Sequence, residues 1–186
     1  TSWRASGIVG GTYAVLVDDQ LITGANQNVA FDAKTGRVGE GWFDGRRMVV
    51  RGPLSYLAKT DAVAAVNRAA YAEGSRKLLT MRKRHDGRDK DDPQYLSANS
   101  RSLLREEQSK RKSQQDPARI AKLKKDIARY TAIVRALQKE EAEFEKDYKA
   151  KATKWSVPAE AYDSLIGTPD AIFAGGNGIV IGIDAR

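Results

Sequence analysis

The sequence predicts a mixed β + α protein in which antiparallel sheets, built from a repeated hairpin unit, are interrupted by a long helical hairpin. Three observations carry this expectation. A strand-plus-turn phrase recurs: it is clearest in Val29-Ala30-Phe31-Asp32-Ala33-Lys34-Thr35-Gly36, degenerate in Val63-Ala64-Ala65-Val66-Asn67-Arg68-Ala69-Ala70, and present again in Ile181-Gly182-Ile183-Asp184-Ala185-Arg186. From Ile120 onward the apolar residues fall on a helical seam. The charge is also divided, since residues 72–154 hold 23 Lys and Arg against 14 Asp and Glu, while the rest holds 9 against 10. Recurrence of one supersecondary unit is the signature of a repeat architecture.

The strands follow from alternation and turn chemistry. Tyr13–Val17, Gln20–Thr23 and the run ending at Asp32 are β-rich segments separated by Asp18-Asp19 and by Gly24-Ala25-Asn26. Short β-rich runs bounded by Asp, Asn and Gly read as strand, turn, strand. The last copy repeats the order: Asp163–Ile166, a Thr168-Pro169-Asp170 turn, Ala171–Ala174, a turn over Gly175–Gly178, then Ile179–Ile181. In the central copy Tyr56–Lys59 and Ala62–Val66 flank Thr60-Asp61. Trp3, Trp42 and Trp155 are expected in sheet packing.

About eighty residues separate Tyr71 from the next strand-like stretch, Ala152–Val157, and they read as helix. Ile120, Leu123, Ile127, Tyr130, Val134, Leu137, Phe144 and Tyr148 recur at three- and four-residue steps, a heptad seam broken where Glu141 takes an expected apolar place. Asp116 suits an N-cap, with Pro117 at the first helical position. The other arm carries Leu78, Leu79 and Met81, then Leu96, Leu103 and Leu104, around a charged break at His85–Pro93. Arms over 72–113 and 117–154 are similar in length, as a hairpin that leaves a sheet and returns to it requires. At about 1.5 Å rise per residue the stalk is expected to reach roughly 55–60 Å.

The chain as a whole has a formal net charge of +8, all of it on the helical segment. Arg119, Lys122, Lys125, Arg129 and Lys139 lie off the apolar seam and are the candidate partner-binding residues. They suit a protein partner or a second copy of the chain, and an anionic surface is the other chemistry they fit. Nucleic acid is disfavoured: acids are interspersed, and no recognition motif or stacking aromatic is present. No apolar run of membrane-spanning length occurs. Cysteine is absent and His85 is the sole histidine, so neither a thiolate metal site nor a multi-histidine site can be built from this sequence. Asp18, Asp19 and Asp170 have turn roles, and Gly175-Gly176-Asn177-Gly178 lacks the helix and Lys-Ser/Thr of a phosphate loop. No catalytic, cofactor-binding or metal-binding residue is assigned.

The strand running into Asp-x-x-Thr-Gly resembles the repeat of the β-propellers typified by pyrroloquinoline-quinone (PQQ) dehydrogenases, a repeat also used by the non-enzymatic propeller lipoprotein of outer-membrane protein assembly. The resemblance covers about one hundred of the 186 residues and concerns the repeat alone. It implies a partial PQQ-like β-propeller of about two blades, with an antiparallel coiled-coil hairpin inserted at a blade turn. The expected division is blade segments over 1–71, the hairpin over 72–154, and further blade segments over 155–186. Asp32, Thr35, Gly36, Asn67 and Asp184 become repeat-turn residues, and Arg37–Phe43 and Ala152–Val157 become outer strands. Closed propellers need about four to eight blades, so the missing blades are expected from more chain or from a partner.

PQQ dehydrogenases hold their quinone beneath a tryptophan with a calcium ion on acidic and amide side chains, and many carry a vicinal cysteine pair. No such cysteines and no assignable calcium cluster occur here. The resemblance therefore implies a non-catalytic scaffold or protein-binding module of the periplasm or cell envelope, with no cofactor in this segment and the hairpin as interaction arm. The alternatives are a fragment of a PQQ- and calcium-dependent dehydrogenase, and a structural subunit of a surface or filamentous assembly.

Overall fold

A computed structural model describes residues 13–24, 27–161 and 163–185; Trp3, and the Ala25-Asn26 part of the first expected turn, lie outside them. The strands form three antiparallel sheets. The first contains β1 (Ala14–Val17), β2 (Gln20–Gly24), β3 (Gln27–Asp32) and β4 (Val38–Asp44) in consecutive order. The second contains β5 (Arg47–Arg51), β6 (Leu54–Ala58), β7 (Ala62–Asn67) and β8 (Thr153–Pro158). The third contains β9 (Ser164–Gly167), β10 (Ala171–Gly176) and β11 (Ile179–Asp184). Between β7 and β8 the chain runs through α1 (Arg68–Arg82), α2 (Pro93–Ser109) and α3 (Pro117–Ala152), with short 3₁₀ turns at Lys83–His85 and Lys112–Gln114.

Turn chemistry places the strands. Asp18 and Asp19 both adopt left-handed φ (52° and 57°), as do Asn177 and Gly178 (51° and 73°). Two consecutive left-handed residues make the hairpin turn whose twist matches that of the flanking strands. The Gly175–Gly178 turn expected from the sequence is thus only two residues long, because Gly175 and Gly176 stay paired with Val180 and Ile179. Strand β5 was not expected. Its Arg-Met-Val-Val-Arg run pairs with β6 from Arg47 opposite Ala58 to Arg51 opposite Leu54.

The three sheets repeat one design. Strands β3, β7 and β11 end on Asp32, Asn67 and Asp184, the three positions that the recurring phrase aligns. In the two four-stranded sheets a register shift breaks the pairing of the third strand with the fourth, between Ala30 and Phe31 and between Ala65 and Val66. Both lie one and two residues before the Asp or Asn. The first strands of the sheets are neighbours, β1 beside β5 and β5 beside β9.

The middle sheet is covered on both faces. Tyr56, Val63 and Ala65 join Ile172 and Ala174 of the third sheet, with Ala159 and Ala161, in one core, against which Val49, Leu54, Trp155, Leu165 and Ile181 pack. Ser55, Leu57, Ala64 and Val66, which alternate with them, are also fully buried. A strand buried on both sides reads as a continuous small-apolar run rather than an alternation, which is why Ala62-Val63-Ala64-Ala65-Val66 looks degenerate beside the first copy.

Two compact units divide the chain: one holds all three sheets with residues through Lys77 and from Glu145, the other is Leu78–Phe144. The helical segment expected over 72–154 runs from Arg68 to Ala152, and the division falls inside α1 and inside α3. In the sheet unit, the first turns of α1 and the last turns of α3 pack together around aromatic rings. Phe43 stacks on Tyr71 (centroids 5.2 Å apart, planes 14° apart), and Tyr148 meets Tyr71 edge-on at 5.5 Å. Such pairs contribute about 0.5–1.5 kcal/mol each beyond their buried area. Gly74 makes this contact possible, because a Cβ there would lie 2.3 Å from the Tyr148 ring.

In the helical unit, Arg84 pairs with Glu140, His85 with Glu141, Ser97 with Thr131 and Glu107 with Arg119. From residues 84–85 to 97 to 107 the partner on the other arm moves back from 140–141 to 131 to 119, so the segment ending at α2 runs antiparallel to α3. At 36 residues, α3 is about 54 Å long at about 1.5 Å per residue.

Gly74→Ala is expected to destabilise the protein by about 1–3 kcal/mol, the usual cost of overpacking. Combining it with Tyr148→Ala should cost clearly less than the sum of the two single changes. Urea denaturation of the four proteins in that cycle measures the coupling.

Candidate interaction site

The repeat-turn residues act through backbone amides. The Asp32 Oδ1 accepts from the Lys34 amide (3.0 Å), the Thr35 amide (2.6 Å) and the Thr35 hydroxyl (2.7 Å). The Thr35 bonds, helped by the nearby Lys34 charge, hold its carboxyl below the usual range. Gly36 closes the turn in the left-handed region (φ 69°), with its amide bonded to the Asp32 carbonyl at 2.8 Å. Asn67 stands at the matching position with a different outcome: its Oδ1 accepts from the Ala70 amide at 3.0 Å and so caps α1. Asp184 ends β11.

Arg68, the first residue of α1, is buried and ties two turns together. Its Nε and Nη2 donate to Asp18 Oδ2 (3.0 and 2.6 Å), and its Nη1 to the carbonyls of Gly52 (2.9 Å) and Leu54 (3.3 Å). The planar guanidinium suits such multiple, oriented bonding. Asp18 therefore serves as an ion-pair partner as well as a turn residue.

Where the end of α3 meets β4 of the first sheet, Lys149 Nζ bonds Asp44 at 2.9 Å and Glu145 at 2.6 Å, with Lys59 3.9 Å from Asp44. Burial alone would raise the Asp44 pKa, but Lys149, Tyr71 and Lys59 together outweigh it and hold the carboxyl below the usual range. Burial likewise works against charged Lys149, and the Glu145 and Asp44 bonds overcome it, raising its pKa. The buried Tyr71 hydroxyl adjoins Asp44 but lacks an aligned hydrogen-bond partner; burial, then the Asp44 charge, pushes its pKa strongly up. The Ser75 hydroxyl accepts from the Trp42 amide at 2.9 Å.

The helical unit contains two polar anchors. His85 Nε2 and Glu141 Oε1 are 2.7 Å apart, and both side chains are about nine-tenths buried. This explains the break in the seam, since Glu141 occupies a core position because the lone histidine meets it there. Along α3, Leu123 and Tyr148 are buried and Ile120, Ile127, Tyr130, Val134, Leu137 and Phe144 half-buried, the face expected from their spacing. The second anchor is Glu107, almost fully buried. It bonds Lys110 Nζ (2.8 Å) and the Asp116 amide (3.0 Å) and lies 3.4 Å from Arg119. The Lys110 bond, the Asp116 amide and the two cationic charges outweigh burial and keep it below the usual carboxylate range. Asp92 and Asp116 cap α2 and α3 through Oδ1, each followed by proline.

Those anchors sort the candidate binding residues. Arg119 is occupied by Glu107, and Lys139 forms an exposed pair with Glu143 at 3.8 Å. Arg129 lies 5.7 Å from the Tyr130 ring centroid. Lys122 and Lys125 are exposed and have no ion-pair partner among the described residues. At steps of three and four residues, Lys122, Lys125 and Arg129 share one outward stripe of α3. Sequence reasoning did not find Asp44, Lys149, Arg68 or the His85–Glu141 pair. Only the gap in the seam signalled any of them. Among the described residues no group of three or more His, Cys, Asp or Glu side chains converges as a metal site, and no helix is long and apolar enough to cross a membrane.

Asp44→Asn should lower stability at pH 7 by about 1 kcal/mol, a value discounted for the partial exposure of the pair. Because the folded-state pKa of Asp44 is depressed, its contribution is present above the unfolded value of about 3.9 and is lost as pH falls through the folded value. Because that of Lys149 is raised, its contribution is lost only as pH rises through the folded value. Urea titrations at pH 7 and pH 3 should show the wild-type advantage at the first pH shrinking at the second. Glu141→Leu should cost about 1–3 kcal/mol by leaving His85 buried without a partner. Adding His85→Phe should recover most of that loss, as read from the helical circular dichroism during unfolding.

No family model matches the chain, and no curated protein or solved structure does so either.

Proposed function

We propose that this protein is a non-catalytic binding scaffold of propeller type whose helical unit is its interaction arm. Three sheets in series, with β1 beside β5 and β5 beside β9, support the propeller reading: consecutive blades arranged around an axis place their first strands side by side. The repeat resemblance favours a periplasmic or cell-envelope setting, and the paired helices inserted in one blade agree with a coiled-coil hairpin.

One observation carries the functional reading. The helical unit is inserted between β7 and β8 without breaking their pairing, and it presents Lys122, Lys125 and Arg129 outward. Chain that contributes nothing to sheet continuity, yet is braced by two buried polar anchors, has been built for something other than the sheets. A stripe of exposed cations suits a partner protein with an acidic face. An enzymatic role has no comparable support, because the conspicuous carboxylates Asp32, Asp18 and Glu107 are engaged in turns and ion pairs.

The test uses paired baits in cross-linking capture from cell-envelope extract: the full chain, a variant carrying Lys122→Glu, Lys125→Glu and Arg129→Glu, and one with residues 78–144 replaced by a short Gly-Ser linker. The linker variant should retain the β-sheet circular dichroism and cooperative unfolding, since Tyr71, Gly74, Tyr148 and Lys149 remain. A protein recovered by the wild type and lost with both variants supports the arm; equal recovery by all three overturns it.

A further inference from the structure

The helical unit holds a groove of about 340 Å³ between α2 and α3, lined by Gln94, Ser97 and Arg101 on one side and by Thr131, Val134 and Gln138 on the other. All residues of this unit, 78–144, lie within the described part of the chain. Ser97 is buried and Thr131 and Val134 are half-buried, whereas Gln94, Arg101 and Gln138 are exposed. The groove thus has a floor of two hydroxyls and one branched apolar side chain, and a mouth of longer polar ones.

Its charge is not balanced. Arg101 Nη2 donates to Thr131 Oγ1 at 3.3 Å, and Ser97 Oγ lies 3.4 Å from the same oxygen. Among the described residues Arg101 has no acidic partner, and most of its guanidinium N–H groups are left for another acceptor. Elsewhere in this unit cations meet acids, as Lys110 meets Glu107 and Lys139 meets Glu143. One turn to either side of Arg101 on α2, and of Thr131 on α3, the sequence places no acid but does place Arg105 and Arg135. Like charges one turn apart repel, so an anion in the groove relieves them.

We infer that this groove is a carboxylate-binding site for a Glu or Asp side chain presented by a peptide segment of a partner protein. The carboxylate takes the Arg101 fork in paired, charge-assisted hydrogen bonds, for which a planar guanidinium is suited. The neutral Gln94 and Gln138 amides bind the flanking peptide groups, and Val134 receives the side-chain methylenes. Neutral amides around one lining cation suit a peptide with a single acid better than a polyanion. The site takes the helical unit as an interaction arm, as proposed above, but not the cationic stripe. Thr131 lies nine residues beyond Lys122, about two and a half turns on and therefore on the opposite side of α3.

The probe is a capped Ala-Ala-Glu-Ala-Ala peptide titrated into the full chain and followed by NMR at the Arg101 Nε–H and the Val134 methyls. Both signals should shift together and saturate with a Kd of about 1 mM or tighter. The Gln counterpart of the peptide should bind at least about ten-fold more weakly, and so should the Glu peptide on Arg101→Gln, an exposed change to another good helix former. The variant carrying Lys122→Glu, Lys125→Glu and Arg129→Glu should stay within about two-fold of wild type at physiological salt. No shift at about 20 mM peptide, or equal binding of the Gln peptide, overturns the site. Loss of binding in the triple variant but not in Arg101→Gln places the carboxylate on the stripe and overturns the groove. Glutarate binding as tightly as the peptide overturns the peptide segment in favour of a free acid, and inorganic phosphate binding about ten-fold tighter overturns the carboxylate.

Discussion

The pairing of β7 with β8 is the constraint on which the architecture turns. Ala65 sits opposite Trp155 and Val63 opposite Val157, so the two ends of the helical segment must come back to within one strand spacing, about 4.8 Å. Closing so long an excursion costs chain entropy that grows only slowly with its length. Neighbouring contacts then hold the first turns of α1 and the last turns of α3 to the sheet unit. Gly74 lets Tyr148 lie on α1, Phe43 and Tyr71 extend the ring contact to β4, and Lys149 binds Asp44 at the end of the same strand. The first sheet thus grips helices that are threaded through the second, which makes the root of the insertion part of the sheet unit.

Polar groups inside the helical unit follow a consistent logic. A buried carboxylate is costly unless it is paired and hydrogen-bonded, and both Glu107 and Glu141 meet that condition through residues far from their own helical turn. Each therefore marks a place where two segments must be in register. Glu141 with His85 fixes the 3₁₀ turn after α1 against α3, and Glu107 with the Asp116 amide fixes the connection between α2 and α3. An all-apolar seam would leave sliding by one heptad inexpensive. These two pairs penalise it, a role for which buried polar residues in helical packing are well suited.

Much of this was legible in the sequence, and what was not has physical causes. The strands of the first and third sheets were marked by Asp, Asn and Gly at their turns, and α3 by its seam and its Asp116-Pro117 start. The same Asp-Pro signal at Asp92-Pro93 marks α2, although the charges around it read as loop. Strand β5 is hidden in the sequence although Gly45 and Gly52-Pro53 bracket its Met-Val-Val run, since the two flanking arginines obscure the alternation. The Asp44–Lys149 and Arg68–Asp18 pairs could not be read at all. Their members are far apart in the chain, and no periodicity links them. Lys122, Lys125 and Arg129 were found from spacing alone, whereas the engagement of Arg119 by Glu107 needed the fold of the α2–α3 connection.

The end of the third strand can be understood as a splice point. At Asp32 a side-chain oxygen receives the amide three residues on and folds the chain back at once; at Asn67 the equivalent oxygen receives the amide three residues on and starts a helix. The two outcomes share their first bond. Chain can therefore be added at this position without disturbing the strand before it, because a capping side chain is already there. A sheet repeat with an Asx residue in this place is a chassis into which helical modules can be fitted one repeat at a time, each started by a side chain that already caps its first turn.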